Sequence, residues 1–168
     1  EDGLGDLAVK YEELKLKLLK EGLFDEEHKK PIPRFPKNIA VLSAKQSAAL
    51  QDVLRTIKQR FPSVPIYIFP IPVQGKDAYK HIIAMLKAVD KARPSTILLC
   101  RGGGSIEDLW NFNEEELVRC IYQLQTPIIT GVGHETDTTL VDFVSDLRAA
   151  TPTAAAVASV PDAKELSN

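Results

Sequence analysis

From Lys37 onward, short apolar runs alternate with segments of helical period. The runs Ile39 to Ser43, Val64 to Phe69, Thr96 to Cys100 and Pro127 to Gly131 are too short for helices and are apolar without regular alternation. Strands of that kind are buried on both faces, as in a parallel sheet covered by helices. Between the first two, Leu50, Val53, Leu54, Ile57 and Phe61 form a stripe; between the second and third, Ala78, Ile82, Met85, Leu86 and Val89 form another. A link between parallel strands must cross a face of the sheet, and these stripes supply the crossing helices. The expected fold is α/β: three α/β/α layers around a mainly parallel sheet of about four or five strands, preceded by an amphipathic helix.

That leading helix is read from Leu7, Tyr11, Leu14 and Leu18, with Gly22 at its stop position. The basic, proline-punctuated stretch from His28 to Lys37 can form neither a continuous helix nor an inner strand, so it reads as an ordered connector over a surface. Asn113 before Glu114-Glu115-Glu116 predicts an N-cap, opening a helix that buries Leu117, Cys120, Ile121 and Leu124. Leu140, Phe143, Val144 and Leu147 predict one more helix, while the small, threonine-rich tail from Ala149 to Val160 has no assigned place in the sheet.

A chain of 168 residues with 44% apolar and 26% charged side chains has the size of one globular domain. Residues 1–36 read as leading helix and connector, 37–162 as the α/β domain, and 163–168 as a cut tail. No apolar stretch approaches the roughly 18 residues of a membrane span. Cys100 and Cys120 lie in apolar surroundings without CxxC spacing, which excludes a zinc ribbon or disulfide framework and fits a reducing cytoplasm. A formal charge of −2 excludes a strongly basic domain that holds nucleic acid by charge alone.

Ligands of open parallel sheets sit beyond the carboxyl ends of the strands, where helix N-termini and loop amides converge. The third run leads straight into Arg101-Gly102-Gly103-Gly104-Ser105, whose glycines let several N–H groups turn toward one anion beside a forked guanidinium. The alternative is a tight turn only, since the loop is neither a P-loop nor GxGxxG. The fourth run ends in Gly131-Val132-Gly133-His134-Glu135-Thr136-Asp137, which sets an imidazole at the same edge. Asp137 could cap the next helix, hold the imidazole in one tautomer, or bind a cation with Glu135 or Asp52. The HETD spacing is not HExxH, so closed zinc is disfavoured while Mg²⁺ held by carboxylates and water is compatible. His28, in the connector, and His81, on a helix, read as structural. Ser43 and Ser105 lie outside any GxSxG elbow, so covalent catalysis is not indicated. The set suits attack by water on a phosphodiester; a non-hydrolytic module for a nucleotide or phosphometabolite is the competing reading.

These segments, in this order, resemble the large subunit of exodeoxyribonuclease VII, the bacterial enzyme that degrades single-stranded DNA to oligonucleotides. The likeness rests on Arg101 to Trp110 (RGGGSIEDLW) with Asn111-Phe112-Asn113, on Gly133 to Asp137 (GHETD), on Asp146-Leu147-Arg148-Ala149 with Thr151 to Ala156, and on Gln74-Gly75. The resemblance implies a hydrolase that needs no metal or is assisted by Mg²⁺. Its catalytic positions would be Arg101, His134, Asp137 and Asp52, with Gly102, Gly103, Gly104 and Ser105 shaping the phosphate loop. It also implies an OB-fold and a long helical region outside this chain, and a small-subunit partner bound mostly through the latter. After the first strand the family usually carries Thr-Ser-Pro-Thr-Gly-Ala-Ala-Ile-Arg-Asp, whereas this chain reads Ser43-Ala44-Lys45-Gln46-Ser47-Ala48-Ala49-Leu50-Gln51-Asp52.

Overall fold

The computed structural model describes residues 3–102, 106–132 and 138–166. Helix α1 (Gly3–Lys20) ends as expected: Gly22 takes φ +86°, and Leu23 N–H reaches back to the Leu18 carbonyl at 3.2 Å. The connector follows through a 3-10 turn (Glu26–His28). Then come β1 (Ile39–Ser43), α2 (Ala48–Arg60), β2 (Ile66–Pro70), α3 (Ala78–Lys91), β3 (Thr96–Cys100) and α4 (Ile106–Leu109). A second 3-10 turn (Trp110–Asn113) leads to α5 (Glu115–Gln123), β4 (Ile128–Gly131), α6 (Leu140–Val144), β5 (Leu147–Arg148), α7 (Pro152–Ser159) and α8 (Ala163–Leu166).

The sheet has five strands in the order β2-β1-β3-β4-β5, and every neighbouring pair is parallel. Side chains alternate between two cores. Ala40, Leu42, Ile97, Leu99 and Ile128 pack with Ile82 and Leu86 of α3, Leu117 and Ile121 of α5, Leu140 of α6 and Leu18 of α1. Ile39, Val41, Leu98, Cys100 and Ile129 face the other way, onto Leu50, Val53 and Ile57 of α2 and Ala155 and Ala156 of α7. Three layers result, with a core on each side of the sheet.

The structure revises the sequence reading at several places. Strand β2 starts at Ile66 rather than Val64, because Pro65 has no N–H and enters the ladder only by accepting from Ile39 N–H at 3.0 Å. As an edge strand it leaves Tyr67 and Ile68 exposed. Helix α5 is capped from Glu114, not Asn113; the Asn113 side chain is buried and accepts instead from the Leu140 N–H at 2.7 Å, one of the N–H groups at a helix start that lack an intrahelical partner. Leu147 leaves the helix and joins β5.

The tail finds its place as α7. Thr151 Oγ1 accepts from Ala154 N–H at 3.0 Å, Pro152 opens the helix, and its alanines let it lie close on β4 and α2. Gly131 is required there: a Cβ would stand 2.8 Å from the Thr151 carbonyl oxygen. The connector is ordered as expected. Lys29 Nζ donates to the Phe143 and Ser145 carbonyls at 2.7 and 2.8 Å, and the Asp146 carboxylate accepts from Lys30 N–H and Ile128 N–H, both at 2.8 Å. His28 packs edge-on against Tyr122, and His81 is exposed on α3. No helix among the described residues is long and apolar enough to cross a membrane.

Candidate active site at the carboxyl edge of the sheet

Strands β1 and β3 are neighbours, but the helices that follow them cover opposite faces: α2 packs in one core and α5 in the other. Their carboxyl ends therefore flank a crevice of the type in which α/β sheets bind ligands. Strand β4 lies beside β3 with Cys100 opposite Gly131, and Arg101 N–H donates to the Gly131 carbonyl at 3.0 Å. The two loops that carry the candidate residues thus leave the sheet at the same level, one strand spacing of about 4.8 Å apart.

Arg101 is only 5% exposed. Its Nη1 donates to the Gly102 carbonyl at 3.1 Å, and its Nε is buried without a hydrogen-bond partner among the described residues. Burial lowers the guanidinium from its usual value while the Asp108 carboxylate opposes the shift. The group stays charged, as guanidinium does in proteins, so a donor remains that an anion can satisfy. Gly102 lies over the first turn of α2, where an added Cβ would meet that of Ala49 at 3.7 Å. Gly103, Gly104, Ser105, His134, Glu135 and Asp137 lie outside the described residues. The N-cap of α6 is Thr139, which occupies the capping position considered for Asp137.

Asp52 stands one turn along α2 from Ala49. Its side chain is 46% exposed and pairs with Arg55 at 3.0 Å rather than with Arg101. Ser43 is fully buried, with its Oγ 3.5 Å from Ser47 Oγ, which leaves it unsuited as a nucleophile. Burial pushes the Cys100 thiol up to about 12, and Cys120 is raised by burial as well, so neither is a thiolate at neutral pH. Among the described residues no group of three or more His, Cys, Asp or Glu side chains could hold a metal ion.

With this geometry in view, a family model described as "Exonuclease VII, large subunit" matches residues 23–168. The chain belongs to the exonuclease VII large-subunit family. It is 56% identical over 165 residues to the exodeoxyribonuclease 7 large subunit of Staphylococcus haemolyticus, covering 98% of this chain and 37% of that protein. The corresponding protein of Oceanobacillus iheyensis is 53% identical over 165 residues, 98% of this chain and 36% of its own length. That of Staphylococcus carnosus is 55% identical over 166 residues, with 99% and 37% covered. The chain thus spans a little over a third of the curated relatives it matches.

Within this family member, the structure adds residues whose roles the motif alone left unread. Asp108, inside the RGGGSIEDLW segment, accepts from the Gly75 N–H at 3.1 Å, and its charge opposes the lowering of the Arg101 guanidinium by burial. Buried Asn111 donates to the Gly75 carbonyl at 2.8 Å and accepts from Tyr79 N–H at 3.1 Å. Gly75, at φ +97°, makes the turn this clasp needs. Gln74-Gly75, a motif without a role by sequence, is therefore the loop tied to the segment behind Arg101. Its signal was a polar side chain, Asn111, amid apolar neighbours.

Proposed function

We propose that this chain is the part of an exodeoxyribonuclease large subunit in which single-stranded DNA is hydrolysed to oligonucleotides. The observation that carries the reading is the 3.0 Å bond from Arg101 N–H to the Gly131 carbonyl, since it ties the roots of the Arg101 and GHETD segments together. A phosphodiester bound between them would receive the Arg101 guanidinium and the amides of the Gly102–Ser105 segment on its non-bridging oxygens. Water attacks phosphorus as the bond to the leaving deoxyribose oxygen breaks; His134 takes the proton from the water, Asp137 orients the imidazole, and solvent protonates the leaving oxygen. Asp52, on the α2 side of the crevice, would contribute at longer range. A Mg²⁺, where used, would be held by Asp137, Glu135 or Asp52 with water and would neutralise phosphate charge.

The partners of this reading are single-stranded DNA and the small subunit, within the bacterial cytoplasm, a setting supported by two free, buried cysteines. The formal charge of −2 fits weak, salt-sensitive binding of DNA by these residues alone. In the full-length large subunit assembled with its small subunit, Arg101→Ala and His134→Ala each abolish release of acid-soluble nucleotides from single-stranded DNA, while circular dichroism stays that of the parent. Full activity in both variants overturns the assignment. Repeating the parent assay with chelator reads the metal requirement.

A further inference from the structure

A chain of buried polar groups joins β4, the start of α6 and the 3-10 turn Trp110–Asn113. Thr130, in β4, precedes the GHETD segment, and its Oγ1 lies 3.0 Å from Asp142 Oδ1 and 3.0 Å from Ser145 Oγ. Asp142 Oδ2 accepts from the Thr139 N–H at 2.9 Å and from the Thr139 hydroxyl at 3.0 Å. Thr139 follows the same segment. One carboxylate therefore grips the chain on both sides of residues 133–137. The next residue, Leu140, donates its N–H to Asn113 Oδ1 at 2.7 Å, and Asn113 ends the 3-10 turn that descends from the Arg101 loop.

Helix capping alone does not account for this arrangement. An acid at the third position of a helix commonly reaches back to the N-cap N–H, as Asp142 does here, but that role needs neither burial nor a bond to another strand. Asp142 is only 4% exposed, and burial raises its pKa against the pull of its Thr139 and Thr130 hydrogen bonds. The helix it opens, α6, is only five residues long. A buried carboxylate is a costly way to start so short a helix. It is a direct way to hold two stems at a fixed separation, because three donors on two separate stems converge on one rigid group.

We propose that Asp142, with Thr130 and Asn113, is a positioning group that sets the stems of the His134 and Asp137 loop against the Arg101 loop. This inference rests on the proposed function and deepens it. Displacing a reacting group by about 1 Å can cost about 100-fold in rate without loss of binding. The brace should therefore be visible in turnover more than in affinity.

The test uses the full-length large subunit with its small subunit and a labelled single-stranded oligodeoxynucleotide. Asp142→Ala and the near-isosteric Thr130→Val lower kcat at least tenfold per folded molecule while KM stays within twofold. Thr130→Ser, which keeps the hydroxyl, holds kcat within twofold of the parent. If Asp142→Ala does not fold, Thr130→Val carries the test. An unchanged kcat in folded Thr130→Val overturns the brace, and so does an equal loss in Thr130→Ser. His134→Ala and Arg101→Ala run alongside: their inactivity with normal Thr130→Val rejects the brace alone, whereas their activity rejects the functional reading beneath it.

Discussion

At the amino-terminal end of the sheet, polar side chains meet the backbone donors that lead into the strands, whereas at the carboxyl end a buried guanidinium keeps a donor without a partner among the described residues. Asn38 Oδ1 accepts from Ser95 N–H ahead of β3, Asp90 from Thr126 N–H and Asp146 from Ile128 N–H, at 2.8 to 2.9 Å. Opposite them, Arg101 Nε has no such bond. Backbone donors met by side-chain acceptors stabilise the native state, even though the buried Thr96 hydroxyl at that end lacks a partner among the described residues; an underbonded cationic donor lowers stability more and suits an anion. On the proposed function, stability and chemistry would be separated by about the length of one strand.

The largest effect expected from breaking this division is loss of all nuclease activity in Arg101→Met with no loss of stability. Removing a buried, underbonded charge should leave the melting temperature of the 168-residue segment unchanged or higher. A clear drop would show that Arg101 also supports the fold. Asp146→Ala should do the reverse. It leaves Ile128 and Lys30 N–H groups without their acceptor beneath the connector, at a cost of about 3 kcal/mol. For a domain of this size that lowers the melting temperature by about 6–12 °C. At a temperature where the holoenzyme stays folded, its kcat should match the parent, and a tenfold loss would dissolve the distinction between the ends.

Gly131→Ala tests the boundary between them. Its Cβ would meet the Thr151 carbonyl oxygen at 2.8 Å and Ala155 Cβ at 3.2 Å, so α7 must shift. Overpacking of this kind costs about 1–3 kcal/mol. The residue also roots both loops, so stability and kcat should fall together. A stability loss with unchanged kcat would mean that the loops do not depend on the seat of α7.

The same division explains how much could be read before the structure. Strands β1, β3 and β4 and helices α2 and α3 were legible because burial on a sheet writes itself as period and run length. Strand β5 was not, since two residues carry no period, and α7 was not, since its alanines give no strong apolar stripe. Local capping rules assigned Asn113 to its own helix, but the Leu140 N–H, 27 positions away, wins its carbonyl. Motif and resemblance marked Arg101, His134 and Asp137; only Arg101 of these lies among the described residues, and it is buried. Asp52 matched the motif, yet its observed partner is Arg55. Asp142 left no mark at all, because nothing in a sequence distinguishes a buried acid from an exposed one three residues into a helix.

The smallest effect separates the ends by the sign of a pH dependence. Burial tends to raise the Asp90 carboxyl, but hydrogen bonds from Thr126 and Gln125 and the nearby Arg93 outweigh it, so its folded value lies below the usual one. Its stabilising contribution is present above the unfolded value of about 3.9 and is lost as pH falls through the lower folded value. Asp142 is shifted the other way, chiefly by burial, with the Thr139 and Thr130 bonds and the charge of Arg148 opposing. Its ionised form costs stability at neutral pH, and the fold recovers as pH falls through the raised value toward about 3.9. Tyr11, the other titrating group coupled to it, is itself raised and stays neutral over this range. Relative to Asp90→Asn, the parent segment should therefore lose its stability advantage on acidification from pH 7 to 3. Relative to Asp142→Asn, whose amide can keep the same bonds by donating to Thr130, the parent should gain. Urea unfolding at each pH reads both differences, and slopes of the same sign would contradict the assignment of opposite electrostatic roles to the two ends.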